Sequence, residues 1–107
     1  MANTHALTDA QFKAEVLDAK VPVLVDFWAT WCAPCIAMEP ALEELATQHL
    51  GKLKVVKVNI EENQVTAQAF GVRSLPNFLL FNGGKVVTQI AGAPSKQKLA
   101  DAVQKVL

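Results

Sequence analysis

Two cysteines, Cys32 and Cys35, stand three residues apart with Ala33 and Pro34 between them, and the sequence has no others. This spacing admits a structural staple, half of a metal site, or a redox couple. As a staple the pair contributes little, because closing so short a loop is worth roughly 2 kcal/mol. As a zinc site it supplies two of the four ligands a closed tetrahedron needs. His5 and His49, the remaining histidines, have no ligand-spaced neighbour and read as surface or loop residues. No metal is therefore expected. Redox use fits best: thiols held within one turn can pass between dithiol and disulfide without large backbone movement.

Asp26 and Lys57 are the next residues that could do chemistry. Asp26 interrupts the apolar run Val23-Leu24-Val25-Asp26-Phe27-Trp28, where a carboxylate is unwelcome. Desolvation there raises its pKa toward the range useful for proton transfer. Lys57 shares strand parity with Leu53 and Val55, so a buried Asp26–Lys57 pair explains both oddities. The alternative is that Lys57 snorkels to solvent and Asp26 lies at a strand end. Trp31, beside Cys32, is either a flat apolar face for a partner or an ordinary loop aromatic.

The elements that must position these residues alternate between helix and strand. Leu7-Thr8-Asp9-Ala10-Gln11-Phe12 reads as a helix start, with Thr8 as N-cap, Gln11 closing a capping box, and Leu7 and Phe12 at staple spacing. That helix is expected to run to about Ala19. Val21–Trp28 is a strand buried on both faces, with Pro22 near its start. A helix then runs from the cysteines through Leu50, with Met38, Leu42 and Leu45 on one face. Pro34 sits in its first turn, Pro40 kinks it, and Gly51 closes it as the C′ residue. Leu53–Ile60 is a parallel strand, followed by a short helix, Asn63–Phe70, ending at Gly71. Asn77–Phe81 and Lys85–Ala91 flank Asn82-Gly83-Gly84, which marks an antiparallel hairpin. Pro94-Ser95 precedes a closing helix that buries Leu99, Val103 and Val106. The sum is an α/β fold: a mixed central sheet with helices on both faces. The cysteines then fall where a buried strand hands over to a helix, at the strand's carboxyl end. The helix start favours a negative charge, so the nearer thiol ionises more readily than a free cysteine. Cys32, at the exposed lip, is the expected nucleophile, and Cys35, one turn inside, the resolving thiol.

Composition sets the outer bounds. With 107 residues, 51% of them apolar and 19% charged, the expectation is one domain spanning residues 1–107 and able to build its own core as a monomer. Ten basic against ten acidic side chains leave no net charge, hence no electrostatic footprint for nucleic acid or an acidic membrane. A partner must be gripped by shape and apolar contact. The run Val21–Trp28 is too short to span a bilayer and carries Asp26. MANTHALTDAQFK lacks the pattern of a signal peptide, which makes a cytoplasmic, reducing location the expectation.

The segment FWATWCAPC closely resembles the active-site stretch of the thioredoxin family, Trp-Cys-x-Pro-Cys after a buried strand carrying aspartate. The resemblance extends over essentially the whole chain. Asp26, Trp28, Trp31, Cys32, Pro34, Cys35, Pro40, Lys57, Pro76, Gly84 and Gly92 all fall where that family has the same residue types. It implies the thioredoxin fold and a role as protein-disulfide reductase and electron carrier. It also implies that Pro76 is a cis-proline facing the cysteines, and that the backbone of Ser74 and Leu75 pairs with extended substrate. Gly92 and Ala93 would let that chain approach, while Trp31, Pro34, Leu75 and Ala93 form an apolar docking patch. Catalysis would run through Cys32 and Cys35, with Asp26 taking the Cys35 proton through water and Lys57 tuning its charge. No cofactor is implied; a separate thioredoxin reductase restores the dithiol, and disulfide-containing proteins are the substrates.

The chain departs from the family pattern at several points. Ala33 replaces the usual glycine and stiffens the loop. Ile36 takes the place of a common basic residue, and Glu39 lies two turns along the same helical face, so Cys32 is expected to ionise less readily than in basic relatives. Ser74 and Asn77 replace the commoner Gly and Thr around the proline. Alternatives to a reductase are an oxidase or isomerase in an oxidising compartment, and a docking subunit of a larger complex in which redox chemistry is incidental.

Overall fold

The computed structural model describes residues 3–107. A five-stranded mixed sheet runs through it in the order β1-β3-β2-β4-β5, giving the thioredoxin fold. The strands are β1 (Thr4–Ala6), β2 (Val23–Trp28), β3 (Lys54–Asn59), β4 (Asn77–Asn82) and β5 (Lys85–Ala91). β3 is parallel to both β1 and β2, whereas β4 is antiparallel to β2 and β5. The helices are α1 (Ala33–Ala37), α2 (Glu39–Gln48), α3 (Gln64–Ala69) and α4 (Lys96–Gln104).

Strand parity divides the core into two layers. Leu24 of β2, Val55 of β3, and Phe78 and Leu80 of β4 face α2 and α4, where Leu42, Leu45, Leu99 and Val103 close over them. Val23, Val25, Phe27, Val56, Val58, Leu79 and Phe81 face the opposite way, toward Phe12, Val16 and Ala67. The central strand β2 is therefore covered on both sides, which is why its residues barely alternate. On the second face Phe12, Phe70 and Phe81 meet with ring centroids 5.3–5.6 Å apart. This tilted and edge-to-face cluster ties the N-terminal helical segment to the sheet and to the residue that ends α3.

Several boundaries differ from the sequence reading. β1 has no counterpart in it: three residues are too few to show a period, and pairing with β3 alone makes them a strand. The first helix is a 3₁₀ turn, Asp9–Gln11, followed by a π-helical turn, Lys13–Leu17, and it stops short of Ala19. The Thr8 N–H does donate to Gln11 Oε1 at 3.0 Å. The helix expected from the cysteines to Leu50 is divided at Met38, so Pro40 lies in the first turn of α2 rather than inside a kinked rod. The missing N–H of Pro40 is harmless there. α2 ends at Gln48 with His49 as C-cap, and Gly51, at φ 86°, lies beyond the C′ position. Val106 follows the end of α4 and packs against the core half-buried.

The hairpin turn shows why one glycine is fixed. Gly83 and Gly84 have φ of 62° and 79°, as a two-residue turn between antiparallel strands demands. A Cβ on Gly83 would meet open space, but one on Gly84 would stand 2.8 Å from the Leu17 carbonyl oxygen. Gly83→Ala should cost about 1 kcal/mol of stability. Gly84→Ala, adding a clash with backbone, should cost about 2–3 kcal/mol. Urea unfolding of both variants checks this; equal losses would mean that the contact with Leu17 does not constrain the turn.

Candidate active site

Ala29, Thr30 and Trp31 carry the chain from the end of β2 into Cys32, which caps α1. The Thr30 N–H and hydroxyl both donate to Glu61 Oε1 at 2.8 Å, pinning this loop to the segment after β3. Pro34 stands at the start of α1, as expected. Cys32 and Cys35 form a disulfide with their Cα atoms 5.3 Å apart. The Cys35 N–H donates to Cys32 Sγ at 3.3 Å, so the backbone aims a donor at the first sulfur. A donor in that place favours the thiolate when the bond opens.

The cysteines are less accessible than the sequence reading expected. Cys32, expected at an exposed lip, is only 4% exposed, and Cys35 is 2% exposed. The disulfide folds the Cys32 side chain inward, where Ala29, Trp28, Ile60 and Leu75 pack around the pair. Ile60 has no signature in the sequence, since its contact with the cysteines depends on where β3 ends. Glu61 is another residue that pattern reading could not find.

Asp26 is 1% exposed, and no described protein group donates a hydrogen bond to either of its oxygens. Burial pushes its carboxyl up to about 7, against an opposing pull from Lys57 and with a further push from Glu39. Near neutral pH such a carboxyl both accepts and releases a proton readily. The expected Asp26–Lys57 pair is corrected in one respect. The two residues are register partners on adjacent strands, β2 and β3. The Lys57 ammonium, however, makes its ion pair with Glu39 at 2.8 Å and lies 4.5 Å from the centroid of the Trp28 ring. Glu39, the charge expected to oppose the Cys32 thiolate weakly, is the ion-pair partner of Lys57.

The residues of the expected docking patch lie around the cysteines in different settings. Leu75 is half-buried against them and Pro76 is buried, with a cis peptide bond between the two. Ser74 and Leu75 make no backbone hydrogen bond among the described residues, so their edge is open. The Gly92 N–H donates to the Pro76 carbonyl at 2.9 Å, which ties the start of the last loop to this segment. Gly92 has φ 89°, and a Cβ there would meet nothing within 4 Å, so conformation rather than internal crowding favours glycine. Ser74, Pro34 and Ala93 are exposed, and Trp31 is 68% exposed. Of the patch residues only Leu75 belongs to the cluster around the sulfurs. Among the described residues no group of three or more His, Cys, Asp or Glu side chains could hold a metal ion, and no helix is long and apolar enough to cross a membrane.

The Thioredoxin family model matches residues 3–105. The chain is 47% identical over 107 residues to a thioredoxin of Synechocystis sp., covering the whole of both proteins. It is 48% identical over 105 residues to thioredoxin 1 of Nostoc sp., covering 98% of each. With thioredoxin C-2 of Corynebacterium nephridii the identity is 52% over 93 residues, 87% of this chain and 86% of that protein.

Proposed function

The chain belongs to the thioredoxin family of disulfide reductases, and from that premise we propose the part each residue plays in the exchange. It is a thiol–disulfide oxidoreductase whose redox-active group is its own cysteine pair, and the family typically binds no cofactor. Cys32 acts as nucleophile. Its thiolate attacks one sulfur of a partner disulfide, forming a mixed disulfide and releasing the other partner sulfur as a thiolate, which takes up a proton. Cys35, deprotonated by Asp26 through water, then attacks Cys32 Sγ. The Cys32–Cys35 bond forms, the mixed disulfide breaks, and the partner leaves as a dithiol. The partner gains two electrons and this protein loses them, to be restored by a separate thioredoxin reductase.

The observation that carries this reading is the pairing of a buried Cys32–Cys35 disulfide with a buried, unpartnered carboxyl on the strand leading to it. Lys57 opposes the rise in Asp26 proton affinity that burial causes. Trp31, Pro34, Leu75 and Ala93 supply apolar contact, while the open backbone of Ser74 and Leu75, before Pro76 and beside Gly92, receives an extended segment of the partner. Disulfide-containing proteins are the substrates, and neither nucleic acid nor membrane is engaged. We place the protein in the cytoplasm as a monomer, with residues 1–107 working as one domain.

The test is to trap the intermediate. Cys35→Ser should accumulate partners covalently bound through Cys32, released by added dithiol and absent when Cys32 is also replaced. Partners that stay bound after dithiol treatment, with no covalent species formed, would point to a docking subunit and sink the assignment of roles.

A further inference from the structure

Lys57 lies opposite Asp26 on the neighbouring strand, and register partners on adjacent strands point to the same face. That face is the one covered by α2. A buried carboxylate beside an ammonium of 17% side-chain exposure is the arrangement in which an ion pair would ordinarily form. It does not form here. Asp26 has no hydrogen-bond partner among the described residues, and the Lys57 ammonium is bonded to Glu39 Oε1 at 2.8 Å. Glu39 is the first residue of α2, which begins after the break at Met38. A carboxylate there is also favoured by the free N–H groups of the helix start.

We propose that Glu39 is a positioning residue: it holds the Lys57 ammonium in an ion pair that would otherwise be offered to Asp26, and so governs how the buried carboxyl exchanges its proton. The inference rests on the reading of Asp26 as proton acceptor for Cys35. The charged groups facing Asp26 are few. β3 contributes Lys57 and α2 contributes Glu39, acting in opposite directions on the carboxyl. From β4 the partner is Phe78, which carries no charge, and the two cysteines of the neighbouring cluster are joined as a disulfide. The Trp28 ring steadies the ammonium in its present place, which keeps it pointed toward Glu39.

The test follows the Asp26 carboxyl by carbon NMR in the oxidised protein as pH is varied. Glu39→Gln keeps the shape and removes the charge, and the Asp26 inflection should move down by about one pH unit as Lys57 turns to it. Glu39→Asp should restore part of the wild-type value. In a Lys57→Met background, Glu39→Gln should move the inflection by less than half as much. An unmoved inflection in Glu39→Gln overturns the proposal, as does an equal shift with and without Lys57, which would mean simple repulsion between the two carboxylates. The pH dependence of disulfide reduction is read in the same variants. A carboxyl that moves while the rate profile does not would leave Glu39 governing Asp26 and remove Asp26 from the reaction.

Discussion

Cys32→Ser is expected to lower disulfide reduction by roughly 10³-fold or more, the scale on which loss of an enzyme's nucleophile is felt. The measurement is dithiol-driven reduction of a model protein disulfide, with wild type and variant side by side. Serine fills nearly the same space in the cluster formed with Ala29, Cys35, Trp28, Ile60 and Leu75, so the fold should persist. Its hydroxyl cannot form the mixed disulfide on which the exchange depends. Comparison of stability belongs in the reduced state, since the oxidised wild type also carries a short cross-link worth roughly 2 kcal/mol. Equal turnover by the two proteins would remove the cysteine pair from the reaction altogether.

Replacement of Asp26 by Asn should stabilise the protein in a pH-dependent way. The carboxyl titrates at 3.8 in the unfolded reference and at about 7 in the fold, because burial disfavours its charge. A raised carboxyl means that the folded state binds its proton more tightly. The associated stability is therefore fully present below pH 3.8 and is lost progressively as pH rises through about 7. The total is about 4 kcal/mol. Asn carries no charge at any pH, so the gain of Asp26→Asn over wild type should be larger at pH 9 than at pH 5 by about 2–3 kcal/mol. Any fixed cost of the buried amide cancels in that difference. Denaturant unfolding at the two pH values measures it; a gain that is constant or falls with pH would contradict a protonated Asp26 in the fold.

What could be read from sequence was local or strictly periodic. The cysteine spacing, the carboxylate inside Val23–Trp28 and the glycines after Asn82 each carry their signal within a few residues, and each lies where expected. The features that escaped depend on distant partners. β1 is a strand only because Thr4, His5 and Ala6 line up with Val55, Val56 and Lys57. Pro40 announced a disturbance in its helix, but whether that produces a bend or a division depends on how α2 seats on the sheet. Glu39 meets Lys57 across 18 residues of sequence, a contact that no local pattern announces. A cysteine just ahead of Pro34, where strand hands over to helix, reads as exposed, yet Cys32 is buried. Its cover comes from Ile60 and Leu75, which strands β3 and β4 bring into place.

That dependence bears on how the site comes into being. β2 lies between β3 and β4, and its pairing with β4 joins segments as distant as Val23 and Phe81. Such non-local pairing incurs its loop-closure entropy before it returns any contact energy. A chain emerging during synthesis holds both thiols well before Leu75 has arrived to wall them in. Until the hairpin of β4 and β5 docks, the nascent protein carries a reactive dithiol without the pocket that disciplines it. Shielding of these two sulfurs from wrong partners thus waits on segments of the chain that come after them in sequence.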